Sequence, residues 1–318
     1  MLGLPEQVFW TLVGIFVVLI IATGIVHQLE RGKTGQSELR DRTRSWWFII
    51  TIFTIAMVTW HEVSTIFLGL IAFMALKEYL SLIPTRRIDR WLLLWAYLAI
   101  PLQFYWAHTG WYGMFVVFIP VWMFLFFPVA MALRGDTRGF LPAVGTISWG
   151  LMICVFAISH TAMLLGAEDV MDHAAGGAGV LLFLVVCTQF NDVAQFTWGK
   201  LCKGRYIGKI VPSVSPNKTW EGFLGGLVTT AVLAMILGPH LTAMDWRWSG
   251  IAGAVIAIAG FSGDISISAF KRDLGVKDAS HLIPGHGGIL DRVDSLTYSA
   301  PVFFHFYSYF YISGYPGA

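Results

Sequence analysis

Charge is what this chain has least of. Asp, Glu, Lys and Arg make up 13% of its 318 residues, about half of the roughly 25% found in soluble domains. Cysteine is scarce too. Cys154, Cys187 and Cys202 are an odd number, two lie in apolar runs, and none has a CxxC or Cys/His partner. That excludes a disulfide scaffold and a cysteine zinc site, and leaves three small hydrophobes. There is no low-complexity segment, no repeat stands out, and no Lys or Arg precedes Arg31. With no A-x-A-like site after it, the first apolar run reads as a retained span and not a cleaved leader. Apolar residues, in contrast, are abundant: the AVILMFWYC set is 56% of the chain, with 24 Phe and 14 Trp. Such a chain is too aromatic to be disordered. It is also too apolar for a soluble enzyme, a coiled coil or a nucleic-acid-binding tail. The composition requires an integral membrane protein.

About 20 apolar residues cross a bilayer as a helix. Runs of this kind lie near 7–28, 46–60, 63–82, 91–107, 111–133, 141–165, 177–198, 222–241, 248–270 and 296–314. They predict an all-α polytopic protein of about ten transmembrane helices. The weakest division is at Trp60-His61-Glu62, where one long broken helix is the alternative. Lys and Arg favour cytoplasmic loops, which gives an internal test. The ends of the odd-numbered runs and the loops after them carry Arg31, Lys33, Arg40, Arg42 and Arg44; Lys77, Arg86, Arg87 and Arg90; Arg134 and Arg138; Lys200, Lys203, Arg205, Lys209 and Lys218; and Lys271, Arg272, Lys277 and Arg292. Of the 21 basic residues only Arg247 falls on the other side. The alternation predicts both termini outside and the long loops in the cytoplasm. Residues 1–175, rich in Trp and Phe, read as a scaffold half, and 176–318 as a catalytic half. Gly222, Gly225, Gly226, Gly250, Gly253, Gly260 and Gly263 in the later runs predict close helix packing.

Polar residues within the bilayer are costly and mark function by default. Here they cluster. Gln189, Asn191, Asp192 and Gln195 lie near the cytoplasmic end of the seventh run. Asp264, Ser266 and Ser268 lie near that of the ninth, and Asp291 and Asp294 open the tenth. Asp264, Ser268, Lys271 and Arg272 share one helical face by their spacing. Carboxylates beside Lys and Arg suggest a site for metal-bound polyphosphate. Phosphate cannot approach bare carboxylates, so Mg²⁺ must bridge them with few protein ligands, while Lys and Arg hold the remaining oxygens. An ion pair inside a bundle is the alternative for any single acid. Ser215-Pro216 predicts a helix start, with Lys218 beside it as an anion site. Pro284-Gly285-His286-Gly287-Gly288 predicts a tight loop that aims N–H groups at an anion.

These segments carry a resemblance. Ser268 to Asp294 reads S-x-apolar-K-R, four residues, K-D, then P-x-H-G-G, then D-R-x-D. This resembles the signature of phosphatidate cytidylyltransferases, also called CDP-diacylglycerol synthases. The segment Ser215–Gly222 resembles the family's S-P-x-K-T-x-E-G, and Gly263-Asp264 its G-D. The resemblance covers roughly residues 185–300. It implies transfer of a cytidylyl group from CTP to phosphatidate, giving CDP-diacylglycerol and pyrophosphate. It implies Mg²⁺ on Asp192, Asp264 and Asp291, with Asp294 and Asp278 as further candidates, and a monovalent cation such as K⁺ beside it. Lys218, Lys271, Arg272, Lys277 and Arg292 would clamp phosphates. Ser215, His286, Gly287 and Gly288 would shape the phosphate pocket. The implied setting is a bacterial inner membrane with the site facing the cytoplasm. The expected partners are CTP, phosphatidate or a related lipid phosphate, and membrane lipids; a homodimer is compatible and no nucleic acid is expected. Val193, Gln195 and Ile267 depart from the family pattern and suggest a branch with a different lipid.

Three other readings compete. A CTP-dependent kinase of a polyprenol or similar lipid alcohol would need a general base for its hydroxyl and would release CDP. A CDP-alcohol phosphotransferase is excluded, because no D-G-x-x-A-R segment exists. An ion or phosphate transporter would favour broken helices near the midplane, whereas the polar set here sits towards one face.

Overall fold

The computed structural model describes residues 4–31, 38–166, 173–202, 205, 207–280, 282–283 and 287–312. In lipid a backbone must satisfy its own N–H and C=O groups, which leaves a long apolar run little choice but the helix. Each of the ten runs is helical: α1 (Glu6–Leu29), α2 (Glu38–Val58), α3 (His61–Leu82), α4 (Leu92–His108), α5 (Tyr112–Ala132), α6 (Phe140–Gly166), α7 (Gly176–Cys202), α8 (Trp220–Leu241) and α9 (Trp246–Asp273), with a four-residue α10 (Leu290–Val293) before the last, α11 (Leu296–Tyr311). Among the described residues no strand forms, and the only bridges are Lys209 with Thr219 and Ile283 with Gly287.

Seven of these helices, α1, α3 and α5 to α9, are long and apolar enough to cross a membrane. The other three runs fall short for separate reasons. The first turns of α2 are charged, while α4 and α11 have 17 and 16 residues. The doubtful division at Trp60 is a true break. Trp60 is extended, and the Ser64 hydroxyl donates to Ala56 C=O at 2.6 Å to close the corner. Within α5, Pro120 cannot donate, and the ladder widens to a π-type turn over Phe118–Met123.

The helix start expected at Ser215-Pro216 lies further on. Ser215 and Lys218 form a turn, with the Lys218 N–H donating to Ser215 C=O at 3.2 Å, and α8 begins at Trp220. Thr219 is the cap: its hydroxyl accepts from the Gly222 N–H at 3.1 Å. A Thr with extended backbone satisfies an end donor that Ser215, four residues earlier, cannot reach. Thr219→Ala is expected to cost about 1 kcal/mol, read as a lower midpoint of thermal unfolding in detergent. An unchanged midpoint would mean that other contacts fix this helix start.

The site is framed by α7, α8 and α9, with α8 packed along both of the others, and α11 lies against α9. Glycine makes the packing tight. A Cβ at Gly226 would strike the Gln195 side chain on α7, and one at Gly253 would strike Ala234 on α8. Buried Asn191 stitches the three helices, donating to Ala257 C=O at 3.3 Å and accepting from the Thr230 hydroxyl at 3.4 Å.

Candidate active site

Four elements deliver the polar groups. From α7, Asp192 accepts a hydrogen bond from the buried Ser295 hydroxyl at 3.0 Å. From the turn before α8, Lys218 reaches across to α9 and pairs with Asp264 Oδ2 at 2.5 Å. It also donates to Gln195 Oε1 at 3.1 Å and lies over the Phe261 ring. Asp264 Oδ1 accepts from Ser268 one turn on, at 3.2 Å. Asp294 follows α10, facing the Asp264 and Asp192 carboxylates. Burial, with those two charges beside it, pushes the Asp294 carboxyl well above the usual carboxylate range. Burial opposes the Lys218 ammonium, but Asp264 and Asp192 outweigh it and hold its pKa above the usual Lys value. Arg292 acts on both Asp192 and Asp294, and its buried Nε has no hydrogen-bond partner.

A second group sits beside the first. Lys271, at the end of α9, is buried and donates to Asp291 Oδ1 at 2.7 Å. Asp291 Oδ2 accepts from the Ala279 N–H at 2.8 Å and the Gly288 N–H at 2.9 Å. Both oxygens of Asp291 are thus engaged, one by Lys271 and the other by the Ala279 and Gly288 N–H groups. Gly287 has φ +75°, a left-handed conformation that glycine adopts without penalty. Asp291 and Asp294 are three residues apart, yet one serves the loop and the other faces Asp192 and Asp264. Arg272 is exposed and clasps two loops through Val214 C=O and Val276 C=O, each at 3.2 Å. Lys277 and Asp278 are exposed, and Ser215 lies in the turn that carries Lys218. His286 lies outside the described residues.

Residues 40–310 match the Cytidylyltransferase family. The chain belongs to that family. An uncharacterized Escherichia coli protein, YnbB, is 43% identical over 303 residues, 94% of this chain and 98% of its own length. A phosphatidate cytidylyltransferase of Haemophilus influenzae is 46% identical over 136 residues, 41% of this chain and 46% of the enzyme. One from Mycobacterium leprae is 37% identical over 163 residues, 50% of this chain and 48% of the enzyme. The chain therefore spans about half the length of these two named enzymes.

In this cytidylyltransferase-family chain, Asp192, Asp264 and Asp294 form the oxygen-rich set that suits Mg²⁺ in chemistry. Among the described residues, however, no three acids or imidazoles stand ready in a ligating arrangement. Lys218 is there instead, on Asp264. Of the three departures from the family pattern, Val193 is exposed on the outer side of α7 and Ile267 is buried in the core. Only Gln195 touches the site, through Lys218.

One participant is missing from the sequence reading. Glu78, in the half read as scaffold, is buried against the signature loop. Its Oε1 accepts from the Ser280 hydroxyl at 2.8 Å and the Ile289 N–H at 3.0 Å, and its Oε2 from the Leu290 N–H at 2.8 Å. The available signal was a carboxylate inside an apolar run, which is costly and therefore informative.

Proposed function

We propose that this protein is a phosphatidate cytidylyltransferase, forming CDP-diacylglycerol and pyrophosphate from CTP and phosphatidate. The observation that carries the reading is the convergence of Asp192, Asp264 and Asp294 with Lys218 and Arg292 in one half-buried group, in a member of this family. The lipid phosphate is already an anionic nucleophile, so no strong general base is needed. A phosphate oxygen attacks the α-phosphorus of CTP, a new P–O–P bond forms, and the bond to the β-phosphate breaks. The barrier lies in bringing two anions together and in the charge on the departing pyrophosphate, which makes positioning and fixed cations the main tools.

The residues divide that work. Asp192, Asp264 and Asp294 would hold Mg²⁺. When bound, that ion neutralises phosphate charge. Lys218 and Arg292 face the same space and would take phosphate oxygens, Arg292 through its unpartnered Nε. Lys277 and Arg272, both exposed, would meet the outer phosphates or the lipid headgroup. Asp291 acts from behind, fixing Lys271 and the 279–288 loop. About ten membrane crossings with the site at the cytoplasmic face of an inner membrane complete the reading. It is supported by the placement of 20 of the 21 basic residues and by the ten helical stretches.

The test uses purified protein in detergent with Mg²⁺, phosphatidate and CTP labelled separately in the ring and at the γ-phosphate. Ring label is expected in the lipid phase and γ label in water as pyrophosphate. If γ label appears in an added polyprenol, with CDP left behind, the protein is a lipid-alcohol kinase.

A further inference from the structure

We propose that Glu78 is a positioning residue for the reaction, a carboxylate in α3 that holds Ser280, Ile289 and Leu290 and so fixes the two ends of the signature loop from outside. This rests on the cytidylyltransferase reading above.

The first N–H groups of a helix have no partner within it, and α10 is only four residues long. Glu78 supplies the partner, taking the N–H of Ile289 just before it and the N–H of Leu290 in its first position. These contacts join residues 211 and 212 positions apart in the chain. The Ser280 hydroxyl closes the other end of the loop onto the same carboxylate. Glu78 thus grips the loop at both ends from outside, and Asp291 grips Ala279 and Gly288 from inside. Gly288 lies between the two carboxylates, and a Cβ there would collide with Glu78 Oε2.

The neighbouring residue extends the link. The Tyr79 ring stacks on Phe270 at 4.7 Å between centroids, next to Lys271, and its hydroxyl donates to Thr146 C=O at 2.8 Å. Successive residues of α3 therefore set the loop and the end of α9. Three donors account for a carboxylate in an apolar run that would otherwise be costly. None of them is a cation, so the contacts read as geometric control and not charge balance.

Glu78→Gln separates these roles. Whichever way the amide is turned, its NH₂ meets an N–H or O–H donor that the carboxylate accepted. A role through charge alone predicts tighter binding of the anionic nucleotide once the negative charge is gone. Positioning predicts the opposite. The kcat/KM for CTP should fall about 10²-fold, with KM for CTP raised and KM for phosphatidate unchanged. Hydrogen exchange of the Ile289 and Leu290 amides, followed by mass spectrometry, reads the clamp without turnover. It should quicken there and not in α7 to α9. Ser280→Ala removes one donor only, so it should give a smaller shift in the same direction should Glu78→Gln prove too unstable to purify.

Unchanged exchange at 289 and 290, or a lower KM for CTP, overturns the proposal. Exchange that quickens equally in all helices also overturns it, since Glu78 would then be a brace of the whole fold. Wild-type protein that transfers no cytidylyl group while the variant loosens only the loop would defeat the reaction and leave the clamp standing.

Discussion

Asp264→Asn is expected to lower the turnover of CTP by about 10²–10³-fold, the usual loss when one preorganised charged group is removed from a reacting centre. Asp264 is the hub of the first group. It pairs with Lys218, accepts from Ser268 and faces Asp294. The amide keeps the size and can still accept from Ser268, so the helices should stay packed. What disappears is the Asp264 negative charge, and with it the ion-pair partner of Lys218. The loss should come with a higher Mg²⁺ requirement, measured by titrating the metal at saturating CTP. A variant that retains full turnover at low Mg²⁺ would remove Asp264 from the site.

Lys271→Met should act on the fold as well as the chemistry. Its partner Asp291 is buried, and removing one member of a buried pair costs about 3–5 kcal/mol because the other charge is stranded. The two N–H groups on Asp291 Oδ2 soften this, so the lower end of that range is expected, read from thermal unfolding in detergent. The double change Lys271→Met with Asp291→Asn leaves no stranded charge. The asparagine oxygen can take over both N–H bonds, with its NH₂ towards the methionine. Stability should largely return while turnover stays low. If turnover returned too, Lys271 would be only a structural counter-ion.

The helices were legible because lipid gives an apolar run one solution, and all ten runs are helical. Their sufficiency as spans was less legible, since the charged turns of α2 and the 16 residues of α11 fall short of the length-and-apolarity measure. The start of α8 was misplaced because Ser215-Pro216 carries the usual signal, whereas the turn at 215–218 hands the capping role to Thr219. Residue types at the site were readable from spacing, but pairings were not. The Lys218–Asp264 pair crosses from a loop to another helix, and the Glu78 bonds span more than 200 residues. No local pattern encodes a contact that long. The division of labour between Asp291 and Asp294 was also hidden, because their spacing does not say which partners each carboxylate takes, and those partners come from other elements.

Lys218 and Asp264 join opposite charges from different elements at the edge of the site. A lone anion entering would take a lysine and strand a carboxylate, and a lone cation would do the reverse. Either outcome leaves a half-buried charge without its partner, which disfavours it even after screening by solvent. A guest that carries both signs, a triphosphate together with its divalent ion, would take the lysine and the carboxylate at once and strand neither. On the proposed function, the resting pair would select by stoichiometry of charge before shape matters. Bare nucleotide and bare metal would each be poor guests, and the two together would make a neutral exchange.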